Sequence, residues 1–292
     1  MNMTKKGGMG ITFFVPMVFV LLWSTGFIAA KFTIAYAPPF KLLFLRGLLS
    51  CLVFLVMVLI ARVKFPPVKS IIEQMKAGLL MHTLFLGGCF YAINQGMSPA
   101  LVALITGLQP ILTAIILSFS DQASMSRMKW LGVVVGFVGV CLVLSPSKTS
   151  NHVELIPLIS AVLALVGVTT GALYQKKVNS TGHILSLTFF QYVSLTLVMG
   201  ILSYFFESDT VVAWSLSFIA GLVWLVVGVS VSAILLLIYL LKIGEATKVT
   251  TYFYLVPVAT ALEAWLFFAE PITMGTAVGM LTTIIGMVLV II

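Results

Sequence analysis

Apolar stretches of about 17–25 residues, each long enough to cross a hydrocarbon core of ~30 Å, recur along this chain. They fall at about 11–35, 40–61, 76–95, 100–119, 128–145, 155–175, 184–205, 214–241, 248–268 and 273–292. The pattern predicts an all-α membrane fold of ten transmembrane helices. Composition agrees, because 61% of the residues are hydrophobic and only 8% are charged, whereas a soluble domain is roughly a quarter charged. Lys5 and Lys6 precede the first stretch, but its length and the lack of a strong cleavage site at Ala35–Lys41 make it a retained helix rather than a secretory signal. Cys51, Cys89 and Cys141 lie inside spans at spacings that suit neither a disulfide framework nor zinc. No metal and no cofactor is expected.

The net charge of +8 would suggest a nucleic-acid partner in a soluble protein. Its placement says otherwise. With the N-terminus in the cytoplasm, twelve basic residues (Lys5, Lys6, Arg62, Lys64, Lys69, Lys76, Arg127, Lys129, Lys176, Lys177, Lys242, Lys248) fall at cytoplasmic ends, and three (Lys31, Lys41, Lys148) fall outside. This asymmetry sets topology and predicts a multi-pass protein of the cytoplasmic (inner) membrane with both termini cytoplasmic and no nucleic-acid partner.

The chain also matches itself. "PILTAIIL" from Pro110 aligns with "PVATALEA" from Pro257, and the register then holds without a gap. Thr113 meets Thr260, Gly132 meets Gly279, and Gly139 meets Gly286. Gly26 and Lys31 answer Gly171 and Lys176, and Tyr91 and Gly96 answer Tyr239 and Gly244. Two five-helix repeats follow, over residues 1–146 and 153–292, with Ser147–His152 as linker. Five is odd, so the second repeat enters the membrane from the opposite side, the inverted-repeat architecture of secondary transporters.

At "LLWSTGFIAAKF" (Leu21–Phe32), "FLRGLL" (Phe44–Leu49), "SPALVALITGLQPILTAII" (Ser98–Ile116), "WLGVVVGFVGVCLVL" (Trp130–Leu144) and "FFAEPITMGTAVGMLTTIIGMVLV" (Phe267–Val290) the chain resembles the drug/metabolite transporter superfamily, and within it the EamA-type ten-helix exporters. The resemblance covers nearly the whole chain. It implies a proton-coupled or facilitated exporter of amino acids, other metabolites or amphipathic drugs, with a cavity between the repeats. The chain departs from the family pattern at Ser24, often Gly there, and at Asp121, two positions earlier than Glu270 in the repeat register. It departs most at Glu263, where the family is ordinarily apolar and the repeat mate is Ile116.

Several residues are candidates for transport. Pro110 and Pro257 interrupt helices at matching points of the two halves, each removing the N–H that would bond the carbonyl four residues back, and such paired breaks point to a binding site. Glu263 lies roughly 13 Å along its helix from Tyr254, near mid-bilayer. At about 100° per residue it shares an inward stripe with Tyr252, Val256, Ala259 and Glu270. An acid there faces a cavity or a partner, or carries a proton, so Glu263 reads as a proton-coupling or substrate-binding group, or else as a structural partner of Arg46 or an interhelical hydrogen-bond donor. His82 is a second proton-coupling or substrate-binding candidate, or else a packing hydrogen-bond donor. Arg46 is either a structural anchor or a substrate contact. Lys31 and Lys41 snorkel to the outer interface.

Trp23, Ser24, Tyr91, Gln109 and Tyr239 complete the substrate-binding candidates, the aromatic ones as flat amphipathic walls. Gly132/Gly139 and Gly279/Gly286, seven apart on one face, suit close helix packing or a homodimer contact. No P-loop, HExxH or metal-ligand cluster marks an enzyme. The expected function is secondary transport of a small-molecule amphipathic metabolite such as an amino acid, with membrane lipid as the surrounding partner. Proton-coupled efflux of cationic amines, polyamines or drugs is the alternative; a channel or a membrane-embedded enzyme fits the sequence less well.

Overall fold

A computed structural model describes residues 9–119, 126–144, 154–178, 180–243 and 253–291. Asp121, the Ser147–His152 linker, Gly244 and Tyr252 lie outside them. Every regular element among the described residues is helical: α1 (Met9–Ile34), α2 (Pro39–Ile60), α3 (Val68–Asn94), α4 (Pro99–Ser118), α5 (Arg127–Leu144), α6 (Leu155–Lys177), α7 (Ile184–Phe206), α8 (Leu216–Val223 continuing to Ile243), α9 (Val256–Phe268) and α10 (Met274–Ile291). Seven of these are long and apolar enough to cross a membrane, and Val256–Phe268 and Met274–Val290 are shorter apolar helices. The protein is therefore a multi-pass helical membrane protein. Phe205, Phe206, Leu216 and Leu266 stand exposed on its outer surface, as lipid-facing residues do.

Local chemistry sets the helix ends. Ser98 caps α4, its Oγ accepting from Leu101 N at 3.2 Å, with Pro99 in the first turn. Ser215 caps α8 in the same way at 3.1 Å from Phe218 N. The start of α2 is capped from another helix: Glu207, just past α7, accepts from Phe40 N at 3.0 Å and Lys41 N at 2.6 Å. Lys41 Nζ in turn donates to Glu207 O and Thr210 O. Lys41 is thus tied to this loop rather than simply extended to an interface.

Three helices are irregular inside, and a fourth, α9, is preceded by a tighter turn. In α4 the helix breaks at Gly107–Leu108 and restarts at Gln109–Ser118, with Pro110 in its first turn. A 3₁₀ turn, Phe253–Leu255, precedes α9, with Pro257 in the first turn. A Cβ at Gly107 would stand 3.1 Å from Pro257 Cγ, so the two breaks abut. The other two irregularities are π-wound: Leu79–Leu84 within α3 and Trp224–Ala233 within α8. The step that takes Tyr91 to Tyr239 also takes His82 to Ser230, one residue in each π segment.

Helix α5 packs on α10 through glycine. A Cβ at Gly132 would be 2.7 Å from Gly286 O, and one at Gly279 would be 2.8 Å from Gly139 O, so the helices are antiparallel with backbones in contact. Gly132 and Gly279 occupy the same place in the register of the two halves, as do Gly139 and Gly286, so the halves exchange one contact for the other. These glycine faces are used inside the chain, in the close helix packing expected of them.

Helices α1 and α9 run parallel. Ser24 of α1 bonds Glu263 of α9, and seven residues further on, Lys31 forms an ion pair with Glu270, just past α9. The inward stripe ends before Glu270, because α9 stops at Phe268 and Ala269 turns the chain with a left-handed backbone, φ 53°.

Candidate functional site

Two adjoining cavities lie within the helices, with α1, α3 and α6 contributing to both. One is about 270 Å³ and the other about 570 Å³. They share Trp23, Phe27, Met81, Phe85 and Val168 as walls, and these mostly apolar side chains form the waist between them.

The smaller cavity reaches past the waist toward Ala30 and Ile93 and holds most of the buried polarity. Arg46 lines it, 3% exposed, with Nε donating to Ser230 Oγ at 3.0 Å and its guanidinium 5.7 Å from the Phe90 ring centre. His82 stacks on Tyr192 with ring centres 4.6 Å apart, and its Nε2 lies 3.0 Å from Gln191 Oε1. The Gln191 amide nitrogen donates to Gln74 Oε1 at 2.5 Å and to Gln175 Oε1 at 3.2 Å. The amide oxygen therefore faces the imidazole, and His82 Nε2 is the donor. Each π segment contributes one residue to this network, His82 from α3 and Ser230 from α8. The wider winding supplies side-chain positions that a regular helix does not.

The larger cavity runs from the waist past Thr106, Gln109, Pro110 and Thr113 to Lys129 and Lys176. The break in α4 helps form its wall, since Gly107, Gln109 and Pro110 all face it. Phe253 and Val256 bring in the matching break of the second half.

The structure distributes the sequence-derived candidates unevenly. Trp23 lines both cavities, braced by Phe19 and Phe253 with ring centres at 5.6 and 5.1 Å. His82 lines the smaller cavity; Gln109 and Pro110 line the larger. Ser24 and Glu263 face each other between α1 and α9, with Ser24 Oγ donating to Glu263 Oε1 at 2.7 Å, and neither lines either of the two cavities. Arg46 is not the partner of Glu263. Pro257 is buried against Gly107. Tyr91 stacks on Phe40 at 5.9 Å, outside both cavities. Tyr239 is 43% exposed and, like its repeat mate Tyr91, lines neither cavity.

Sequence reasoning did not single out Gln191, Tyr192 or Ser230, and it left Arg46 undecided. The readable signal was "QY" at Gln191–Tyr192, a polar pair inside an apolar span. Among the described residues no three of His, Cys, Asp and Glu gather as a metal site would need.

The EamA-like transporter family profile matches the chain twice, over residues 9–145 and 155–292. The chain belongs to the EamA-like transporter family. This EamA-like protein is 27% identical to the uncharacterized transporter YvbV of Bacillus subtilis over 93% of its own length and 88% of that protein's. It is 24% identical to an uncharacterized transporter of Archaeoglobus fulgidus over 93% of this chain and 95% of the other. The uncharacterized inner membrane transporter YedA of Escherichia coli K12 is 21% identical over 83% of this chain and 78% of its own. A solved crystal structure at 17% identity superposes with a TM-score of 0.66, covering 97% of this chain and 96% of that one. The fold is shared at that distance.

Proposed function

We propose that this EamA-like transporter is a ten-helix secondary carrier built from two inverted five-helix repeats, exporting small amphipathic metabolites such as amino acids by alternating access. The carrying observation is the passage formed by the two cavities, whose walls come from both halves of the chain and whose paired helix breaks meet at Gly107 and Pro257. Three further features support it: the family profile matching each half, the antiparallel α5–α10 contact that the halves exchange, and π segments at equivalent positions. With the basic ends in the cytoplasm, the Lys129–Lys176 mouth opens inward and the Lys31–Glu270 pair lies at the outer end. The relative named as an inner membrane transporter supports placement in the cytoplasmic membrane.

Glu263 is the proton-coupling candidate. It is buried, and its Oε2 has no hydrogen-bond partner among the described residues. Its link to the passage is indirect, through Ser24 next to Trp23. Binding of a cationic amine by Glu263 is the weaker reading, because the residue does not line the passage whereas Arg46 does.

Metabolite comparison of cells with and without the protein identifies candidate substrates, and proteoliposomes loaded with them test transport. The expected result is efflux that saturates with substrate and is accelerated by substrate on the opposite side. Linear, non-saturating flux without such acceleration would show a channel instead.

A further inference from the structure

We propose, resting on the transporter reading above, that the smaller cavity binds the anionic head of a monocarboxylate substrate, with Arg46 as its counter-cation. Arg46 is held in place without being neutralised. Its Nε is bonded to Ser230 Oγ at 3.0 Å, the Tyr192 hydroxyl is a second polar neighbour, and the Phe90 face lies 5.7 Å away. All three are uncharged. Among the described residues no carboxylate is in ion-pair contact with Arg46; Glu263 bonds Ser24 and Glu270 pairs with Lys31. Guanidinium stays charged in any protein setting, and a charge inside a membrane span is retained where it pairs or faces a cavity. Arg46 faces one.

The rest of the passage has the same sign. Its walls contain three fixed cations, Arg46, Lys129 and Lys176, and no aspartate or glutamate among the described residues. Basic groups at the mouth raise the local concentration of anions, and a single deep guanidinium can take a carboxylate in paired hydrogen bonds. Beyond the head group, Trp23, Phe27 and Phe85 at the waist offer an apolar slot for the substrate's body. A cationic amine would meet Arg46 with no compensating acid in the wall. One deep cation matches the single charge of a carboxylate better than the double charge of a phosphonate.

The test uses the full chain in nanodiscs and three matched sets of probes that differ only in head group. These are phenylacetate, phenylacetamide and 2-phenylethylamine; 4-methylpentanoate with its amide and amine; and butyrate with its amide and amine. Benzylphosphonate is added as a dianion. Binding is read by tryptophan fluorescence and by thermal shift. In at least one set the acid should bind tenfold or more tightly than its amide, with the amine weaker still. Arg46→Gln should abolish that preference, and Arg46→Lys should keep it at reduced affinity, because a lysine retains the charge and loses the fork. Should Arg46→Gln not fold, the head-group ranking of the wild type and of Arg46→Lys still decides. The site is refuted if no acid binds, if acid, amide and amine bind alike in every set, if benzylphosphonate binds more tightly than phenylacetate, or if folded Arg46→Gln keeps the preference. Labelled acid in proteoliposomes separates the two readings. Arg46-dependent binding without translocation leaves the site standing and sinks the transporter, whereas saturable transport without acid preference does the reverse.

Discussion

Ser24 Oγ donates a 2.7 Å hydrogen bond to Glu263 Oε1 across 239 residues of sequence, while Glu263 Oε2 is buried without a partner among the described residues. The carboxyl is thus held at one oxygen by Ser24, which is one residue along α1 from Trp23 in the wall of the passage. If it carries the coupling proton, Glu263→Gln should fold and should lose concentrative transport at least tenfold, yet retain exchange of labelled substrate at equal concentrations. Ser24→Ala should lower stability by about 1–3 kcal/mol, the usual cost of leaving a buried polar group unpartnered. Wild-type accumulation and pH dependence in Glu263→Gln would assign the residue to structure alone.

The passage makes a directional claim about accessibility. In a background without cysteine, Gln109→Cys and Thr113→Cys should react with a water-soluble maleimide applied from the side bearing Lys129 and Lys176, since both residues line the larger cavity with those lysines. Substrate should slow the reaction. Tyr239→Cys should show no such protection. Labelling of Gln109→Cys only from the opposite face would mean that the mouth has been placed at the wrong end.

Backbone contact between α5 and α10 leaves no room for side chains. Gly286→Ala would place a Cβ 2.7 Å from Gly132 O, and Gly139→Ala one 2.7 Å from Gly279 O, so each should cost about 1–3 kcal/mol by overpacking. Gly275→Ala is the internal control, as the nearest atom, Thr273 Oγ1, is 3.8 Å away, and it should be neutral or stabilising by up to ~1 kcal/mol. Thermal unfolding in detergent reads all three. Equal melting temperatures for Gly286→Ala and Gly275→Ala would contradict the packing.

Lys31 and Glu270 are partly solvated, with side-chain exposures of 35% and 22%. Pairs of that kind contribute about 0–1 kcal/mol. Lys31→Met or Glu270→Gln should therefore leave unfolding nearly unchanged while loosening the end of the α1–α9 contact, seen as a higher basal leak in proteoliposomes. The swapped pair Lys31→Glu/Glu270→Lys should recover most of the wild-type behaviour. A double variant no better than either single one would show that the two charges act separately.

Sequence alone determined what depends on length, composition and fixed spacing. A span must match the bilayer, so the apolar stretches were legible without any tertiary information, as were the proline breaks at Pro110 and Pro257, because a missing N–H acts wherever the chain goes. The repeated glycines announced close packing but not its partner: only the fold set Gly132 against Gly286 and so spent those faces within the chain. What escaped the sequence depended on azimuth and on partners far along the chain. Projection at about 100° per residue assumes regular winding, and the π segments Leu79–Leu84 and Trp224–Ala233 break that assumption. They bring His82 and Ser230 into one network. Glu263 and Arg46 were both visible as charges in apolar spans, but whether they would meet each other, a neutral neighbour or a cavity was set by how α1, α2, α7, α8 and α9 pack. A buried charge is governed by whatever lies within hydrogen-bonding distance, and for Glu263 and Arg46 those neighbours, Ser24 and Ser230, are 239 and 184 residues away.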